Sequence, residues 1–273
     1  MDSKFLTDLS RQAILEQRNL IRPSRFRSWE WARDDFRMAL EWLNANPNDI
    51  LHGESLNDTP GMRVWRLHTP HILGNFDIIY KFYETAEFLG TSLALKSVIN
   101  AAALKALDIS VAPILACGEN RVCGELQSAF LVTQFLPNRQ NGAALAPGGP
   151  LREQRKLRMT FCKTLMRQIA LLHQCHCRDT QIRAKKFLFQ ETTGEKDTID
   201  IDWIDVAYCD FDVGESEMTY VPQDLIKLFV DLRLNSDEIQ EILKFYIDCW
   251  PNCPFTVEGI WDVFTRMKPV PLP

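Results

Sequence analysis

The sequence predicts an α+β protein with two lobes, a strand-rich N-terminal lobe that contains one helix and a larger helical C-terminal lobe. Runs rich in β-branched and aromatic residues are concentrated between residues 62 and 135, whereas helical periodicity dominates from residue 151 onward. At 273 residues, of which 46% are hydrophobic, the chain is long enough for two lobes with their own cores. We predict an N-terminal helical extension over residues 1–61, a first lobe over 62–136 and a second lobe over 137–273.

The extension contains aromatic and leucine residues at roughly helical spacing, which predicts an amphipathic helix over about residues 28–43. Its apolar positions are Trp29, Trp31, Phe36, Leu40 and Trp42. The run Asn44–Asn48, with Pro47 inside it, ends the helix. We expect this aromatic stripe to pack on the rest of the protein rather than on a membrane.

The first lobe begins with two strand-like runs, residues 62–68 and 72–83, separated by a Thr-Pro turn. The Ala- and Leu-rich stretch 92–107 then predicts a helix. Two further strands are predicted over 109–116 and 128–135, joined by a turn at Gly118–Arg121.

The second lobe follows a loop rich in Gly, Pro and Asn over residues 138–150. A long helix is predicted over 151–174, with apolar residues at helical spacing. Two short strands, 187–189 and 199–206, flank a turn at Thr192–Glu195. The remainder is helical, over residues 224–232, 236–250 with Ser236 as N-cap, and 257–267.

Charge and composition exclude some classes of protein. The net charge of −5 gives no global basic field for nucleic acid. The first residues lack the pattern of a secretory signal, and no apolar stretch approaches the about 18 residues of a membrane span. We therefore expect a cytoplasmic protein with reduced thiols, with peripheral membrane contact left open. The cluster His173–Cys177 does not have the spacing of a zinc knuckle.

The order of strands, helix, hinge-like strand, long helix and hairpin is that of a protein-kinase-like fold, and Lys81 lies where that fold keeps its nucleotide-binding lysine. Lys81 is near the end of a strand, from which a lysine can hold the α- and β-phosphates of ATP. The alternative interpretation is a solvated lysine on a strand.

Two aspartates occupy the other chemical positions of such a fold. Asp179 follows the long helix in the segment His176–Asp179, as the aspartate of a catalytic loop would, although Cys177 replaces the usual histidine. Asp205 ends the second strand of the hairpin, where an aspartate coordinates Mg²⁺. Asp200 and Asp202 are nearby competitors, and we prefer Asp205 because the apolar pair Trp203–Ile204 precedes it.

At these residues the chain resembles the bacterial lipopolysaccharide core kinases, the Kdo and heptose kinase family, over roughly residues 62–233. The segments that carry the resemblance are Ala101–Gly118, Ala129–Phe135, Arg178–Asp179, Trp203–Asp205 and Gln223–Leu225.

The resemblance implies transfer of phosphate from ATP, with Mg²⁺, to a sugar hydroxyl of the lipopolysaccharide inner core at the cytoplasmic face of the inner membrane. It implies that Asp179 is catalytic and that Asp205 holds the metal. It also implies that Lys81, Gln134 and Phe135 bind the nucleotide. The partners are then a nucleotide and the core glycan, with no nucleic acid.

The sequence departs from the kinase pattern at two further positions. Asn100 stands where a helix glutamate would pair with Lys81. Ala184 stands where a metal-binding Asn or His is expected, and an alignment shifted by two residues puts Lys186 there instead. These departures keep a second hypothesis open, a pseudokinase or scaffold that retains the fold without catalysis. A third is a phosphotransferase of the aminoglycoside or choline type, which shares the pair of aspartates.

Overall fold

The computed structural model describes residues 24–192, 198–211 and 220–267. Two predictions fall partly outside these ranges: the first 23 residues of the predicted extension, and the predicted turn at 192–195 apart from Thr192. Strands and helices are both present, in an α+β arrangement. The described chain divides into two compact units. One comprises residues 24–103 and 111–137, and the other comprises residues 104–110 and the described residues from 138 onward.

The first unit is built on a six-stranded antiparallel sheet. Its elements in chain order are β1 (Trp29–Ala32), α1 (Arg37–Ala45), α2 (Pro47–Leu51), β2 (Glu54–Thr59), β3 (Met62–His68), β4 (Asp77–Phe88), α3 (Leu93–Ala106), β5 (Ile114–Val122) and β6 (Glu125–Gln134). The strand order is β1-β5-β6-β4-β3-β2. The helix predicted over 92–107 is therefore confirmed as α3, and the strand predicted over 62–68 as β3.

The helix predicted over residues 28–43 is wrong in its first half. Residues Trp29–Ala32 form β1, which pairs with β5 so that Trp31 lies opposite Cys117. β5 offers these residues a backbone partner strand along their whole length, and that pairing overrides their helical spacing. The helix starts only at Arg37, and Phe36, Leu40 and Leu43 are buried in the core of this unit. The prediction that the stripe packs on the protein is thus confirmed.

The turn predicted at Gly118–Arg121 is also wrong, because these residues lie inside β5. A Cβ atom at Gly118 would lie 2.5 Å from the ring of Phe130 and 2.9 Å from the carbonyl oxygen of Trp29. The glycine therefore permits a close approach within the sheet rather than a turn. The chain reverses instead at Cys123 and Gly124, which both have positive φ, as a two-residue hairpin turn requires.

Helices cover both faces of this sheet. Ile78 and Tyr80 of β4 pack in one cluster with Phe36, Leu40 and Leu43. Tyr83 of β4 and Leu131 of β6 pack in a second cluster, whose helical members come from α3: Ala94, Leu95, Val98 and Ile99. Successive residues of a strand point to opposite faces. Odd-numbered residues of this part of β4 therefore face α3.

The second unit is mainly helical. Its elements are β7 (Gln140–Asn141), α4 (Arg155–Gln174), β8 (Arg178–Asp179), β9 (Phe187–Thr192), β10 (Thr198–Trp203), β11 (Cys209–Asp210), α5 (Tyr220–Asp231), α6 (Ser236–Asp248) and α7 (Val257–Arg266). β10, β9 and β7 form a three-stranded sheet, and β8 pairs with β11. The predicted hairpin is present as β9 and β10, in which Trp203 lies opposite Phe187.

The core of the second unit is aromatic where α4 meets the hairpin. The ring of Phe161 on α4 contacts those of Phe187 and Phe189, and Phe187 packs edge-on against Trp203.

The N-cap of α6 is Asn235 rather than the predicted Ser236. Asn235 accepts a hydrogen bond from the amide of Glu238, and the Glu238 side chain accepts one from the Asn235 amide. This capping box satisfies two amide donors at once.

Among the helices of the described residues, none is both long and apolar enough to cross a membrane.

Candidate functional site

Lys81 lies in the middle of the sheet of the first unit. It is buried on β4, opposite Val64 of β3 and Leu131 of β6. By strand alternation it shares the face of Tyr83, which α3 covers. Asn100 on α3 is buried as well. Because Lys81 is buried, the alternative of a solvated strand lysine does not hold. A buried ammonium needs polar partners to offset its desolvation.

The predicted nucleotide-binding residues Gln134 and Phe135 lie at the end of β6. Gln134 is exposed and lies opposite Ile78. The Phe135 amide donates to the carbonyl oxygen of Asp77 at 2.9 Å, and the guanidinium of Arg66 lies 3.7 Å from the centroid of the Phe135 ring. Arg66 also donates to both carboxylate oxygens of Asp77, at 3.2 and 2.9 Å. The segment is thus fixed to β4, and its role in nucleotide binding stays a prediction.

Asp179, in the second unit, forms a buried ion pair that the sequence did not predict. The ammonium Nζ of Lys186 lies 2.9 Å from each carboxylate oxygen of Asp179, and the two side chains are only 5% and 2% exposed. Asp179 Oδ1 also accepts from the amide of Gln181 at 2.8 Å. The carboxylate is therefore held in one orientation by three donor contacts.

Helix α5 anchors the loop that carries Asp179. Arg178 lies 3.3 Å from Asp224 Oδ1, and Lys227 donates both to that oxygen and to the carbonyl of Thr180. Farther along the loop, the amide of Ala184 donates to Asp231 at 2.7 Å. Burial raises the pKa of Asp224, while the charges of Lys227 and Arg178 act to lower it. Ala184, the first candidate position for a metal-binding Asn or His, contributes only backbone.

Asp205 follows β10 directly and adopts a left-handed conformation, with φ 56° and ψ 44°. Non-glycine residues at positive φ are uncommon and recur at functional sites, where the surroundings hold them in place. The preceding amide, of Ile204, donates to the carbonyl oxygen of Lys186 at 2.8 Å. The segment of Asp205 is thus attached to the residue whose ammonium binds Asp179.

The two competing aspartates on β10 have structural partners. Asp202 is buried, accepts a hydrogen bond from the Ser110 hydroxyl and has the Nε atom of Arg139 2.9 Å from its Oδ2. Asp200 is exposed and lies 3.7 Å from the same arginine. Asp202 is thus part of a structural network, and the assignment of the metal ligand to Asp205 stays a prediction.

The donor set fits one magnesium ion better than two. Mg²⁺ binds proteins through one or two carboxylates and takes its other ligands from water and substrate phosphates. Asp205 is a carboxylate of this kind. Within the described ranges, no group of three or more His, Cys, Asp or Glu side chains lies close enough to hold a metal by itself. Lys186, the position that the shifted alignment offers for a second ligand, carries an ammonium group, which has no lone pair for a metal.

The cluster His173–Cys177 is part of the core. Nδ1 of His173 lies 2.7 Å from the hydroxyl of Tyr246, and the ring packs edge-on against Tyr220 and Tyr246. Burial, together with the nearby charge of Arg178, lowers the pKa of His173 to about 3. Burial also raises the pKa of the Cys175 thiol to about 11. A neutral imidazole and protonated thiols are structural groups here.

These elements together define a protein-kinase-like fold of the α+β class, as the sequence predicts. No known family profile and no curated protein matches the sequence. The chain is similar to a solved structure described as WaaP in complex with acyl carrier protein, with a TM-score of 0.61 and 14% identity over 87% of this chain and 96% of that one. It also aligns, at a TM-score of 0.40, with a Neurospora crassa PAN3 pseudokinase mutant, with 11% identity over 75% of this chain and 58% of that one. The resemblance to lipopolysaccharide core kinases is confirmed as a likeness of fold.

Proposed function

We propose that the protein is an ATP-dependent phosphotransferase that acts on a sugar hydroxyl of the lipopolysaccharide inner core, at the cytoplasmic face of the inner membrane. The observation that carries the proposal is the linkage of two carboxylate-bearing segments in the second unit. Lys186 binds the carboxylate of Asp179 through its side chain and the segment of Asp205 through its backbone. An acceptor-binding aspartate next to a metal-binding one is the arrangement that phosphoryl transfer needs.

Each residue has a distinct task in this proposal. Lys81 binds the α- and β-phosphates, and the end of β6 at Gln134 and Phe135 binds the base of the nucleotide. Asp205 holds Mg²⁺, which, when bound, neutralises charge on the phosphates. Asp179 orients the acceptor hydroxyl and accepts its proton, while Lys186 keeps the carboxylate in position. The chain's part of the catalysis is positioning and electrostatic stabilisation.

The test is transfer of labelled phosphate from ATP to core oligosaccharide by the purified protein and by an Asp179→Asn variant. The variant preserves the shape of the side chain but removes the proton acceptor, and we expect a rate at least about 100-fold lower. Asp262→Asn, which changes an exposed aspartate on α7, is the matched control and should keep the full rate. Full activity of Asp179→Asn would refute the proposed role. Transfer to aminoglycosides or choline in place of the core glycan would favour the third hypothesis.

One observation favours the alternative of a pseudokinase. Both oxygens of Asp179 are held by Lys186 in a buried pair, which limits access of an acceptor hydroxyl. A thermal shift with ATP, with and without Mg²⁺, combined with the transfer assay separates the two. At about 100 times Kd, a nucleotide should stabilise the fold by roughly 2.7 kcal/mol. Stabilisation without transfer to any acceptor would identify a nucleotide-binding pseudokinase, and the shift should shrink in Lys81→Met in either case.

A further inference from the structure

We propose that Lys186 replaces the ligand of a second metal ion, so that the protein binds its nucleotide together with a single divalent ion. The inference rests on the nucleotide binding in the proposed function, and it holds whether or not phosphate is transferred. In protein kinases, an asparagine of the catalytic loop holds a second Mg²⁺. This chain has an ammonium group on the corresponding stretch of loop.

The ammonium of Lys186 is fixed where it stands. Besides the two contacts with Asp179, Nζ lies 5.0 Å from the centroid of the Tyr208 ring, within the range of a cation–π interaction. An ammonium group cannot serve as a metal ligand, because it has no lone pair.

The backbone that carries the Lys186 side chain is held by hydrogen bonds as well. Its amide donates to the carbonyl of Arg183 at 3.0 Å, and its carbonyl accepts from Ile204 at 2.8 Å. The side-chain amide of Asn141 holds the carbonyl of the neighbouring Lys185 at 3.0 Å. These three contacts fix the backbone from which the Lys186 side chain reaches Asp179.

The charge of Lys186 affects how many divalent ions can bind near Asp179. The ammonium, at 2.9 Å from both oxygens of Asp179, repels a further cation that approaches this carboxylate. Because the ammonium offsets its charge, the carboxylate of Asp179 attracts a second ion weakly. In the proposed function, Asp205 is the carboxylate that holds the single divalent ion with the phosphates.

The experiment counts Mn²⁺ ions bound per molecule of a non-hydrolysable ATP analogue by electron paramagnetic resonance of the free ion, on the full-length protein. We expect one ion per bound analogue in the wild type and two in Lys186→Asn, which restores an amide oxygen at this position. The control is Lys185→Asn, the same change at the adjacent exposed lysine, and it should keep one ion. The double variant Asp179→Asn/Lys186→Asn removes both charges of the pair, so it avoids a buried unpaired carboxylate, and it should also bind two.

The outcomes separate this inference from the function on which it rests. Two ions per analogue in the wild type would refute the role of Lys186 and leave the nucleotide-binding proposal standing. One ion in both a folded Lys186→Asn and the double variant would refute it as well. Failure of the wild type to bind the analogue at any Mn²⁺ concentration would instead refute the proposed function, and this inference with it.

Discussion

Replacement of Lys186 by methionine should destabilise the second unit strongly, because it leaves the carboxylate of Asp179 buried without its counter-ion. The two side chains are 5% and 2% exposed, and the ammonium lies 2.9 Å from both carboxylate oxygens. Removal of one member of a buried pair costs about 3–5 kcal/mol, chiefly through the desolvated charge that remains. The single hydrogen bond from the Gln181 amide offsets only about 1 kcal/mol of that cost.

The measurement is the free energy of unfolding in urea for the wild type, each single variant and the double variant Asp179→Asn/Lys186→Met. The double variant contains no unpaired charge. Its loss of unfolding free energy should therefore be smaller than the sum of the losses in the two single variants, by about 2 kcal/mol or more. Lys227→Met is the matched control. Lys227 pairs with Asp224 but is 41% exposed, so its loss should cost less than about 1 kcal/mol. Two results would contradict the buried ion pair: a cost below about 1 kcal/mol for Lys186→Met, or a double variant whose loss of unfolding free energy equals the sum of the two single losses.

Three further predictions concern the other groups of the second unit. Asp205→Asn should fold as well as the wild type, since asparagine tolerates positive φ, whereas Asp205→Ala should lose about 1 kcal/mol of unfolding free energy to backbone strain in the same urea titration. Both variants should lose Mn²⁺ binding. Retention of Mn²⁺ by Asp205→Ala would place the metal elsewhere. Because the pKa of His173 is lowered to about 3 in the folded protein, the unfolded chain binds one more proton below about pH 6.5. The free energy of unfolding should therefore fall as the pH decreases from about 6.5 toward 3, with a contribution of up to about 1.4 kcal/mol per pH unit that His173→Phe removes; an unchanged pH slope in the variant would contradict the assignment. Arg158→Met should cost about 3 kcal/mol, because Arg158 and Glu238 are 8% and 1% exposed, and the exposed neighbour Arg155 provides the comparison, with a cost near zero expected.

The fold could be predicted where hydrophobic periodicity and burial agree. β3, β4 and α3 alternate or repeat as their environments require, and the sequence shows them. β2 (Glu54–Thr59) was not predicted, because its residues are mostly exposed and polar and it is a strand only through its pairing with β3. The sequence assigns β1 to a helix because a run of only four residues is too short to distinguish the two-residue period of a strand from the 3.6-residue period of a helix. The pairing of β1 could not be predicted locally, because its partner β5 is distant in sequence.

The candidate site was predictable in its residue types but not in its pairings. Lys81, Asp179 and Asp205 could be selected because each lies on, or shortly after, a recognisable strand or helix. Asp205 was preferred to Asp200 and Asp202 because of the apolar pair Trp203–Ile204 before it. The contacts of Asp202 with Arg139 and Ser110 could not be predicted, because those two residues come from separate loops and carry no local signal. Gly118 shows the same limit, since only the tertiary approach of Phe130 and Trp29 distinguishes a packing glycine from a turn glycine.

Stability and ligand binding should oppose each other at Lys186, and that opposition is measurable. Without ligand, Lys186→Asn should unfold at a lower urea concentration than the wild type, because Asp179 loses its counter-ion. If the variant gains a second ion, then saturating Mn²⁺ and nucleotide should stabilise it more than they stabilise the wild type, because each ligand that binds only the folded state contributes separately. The ligand-induced increase in unfolding free energy must therefore be larger in the less stable protein. A purely structural lysine would lower stability equally with and without ligand, so equal increases would reduce Lys186 to a packing role.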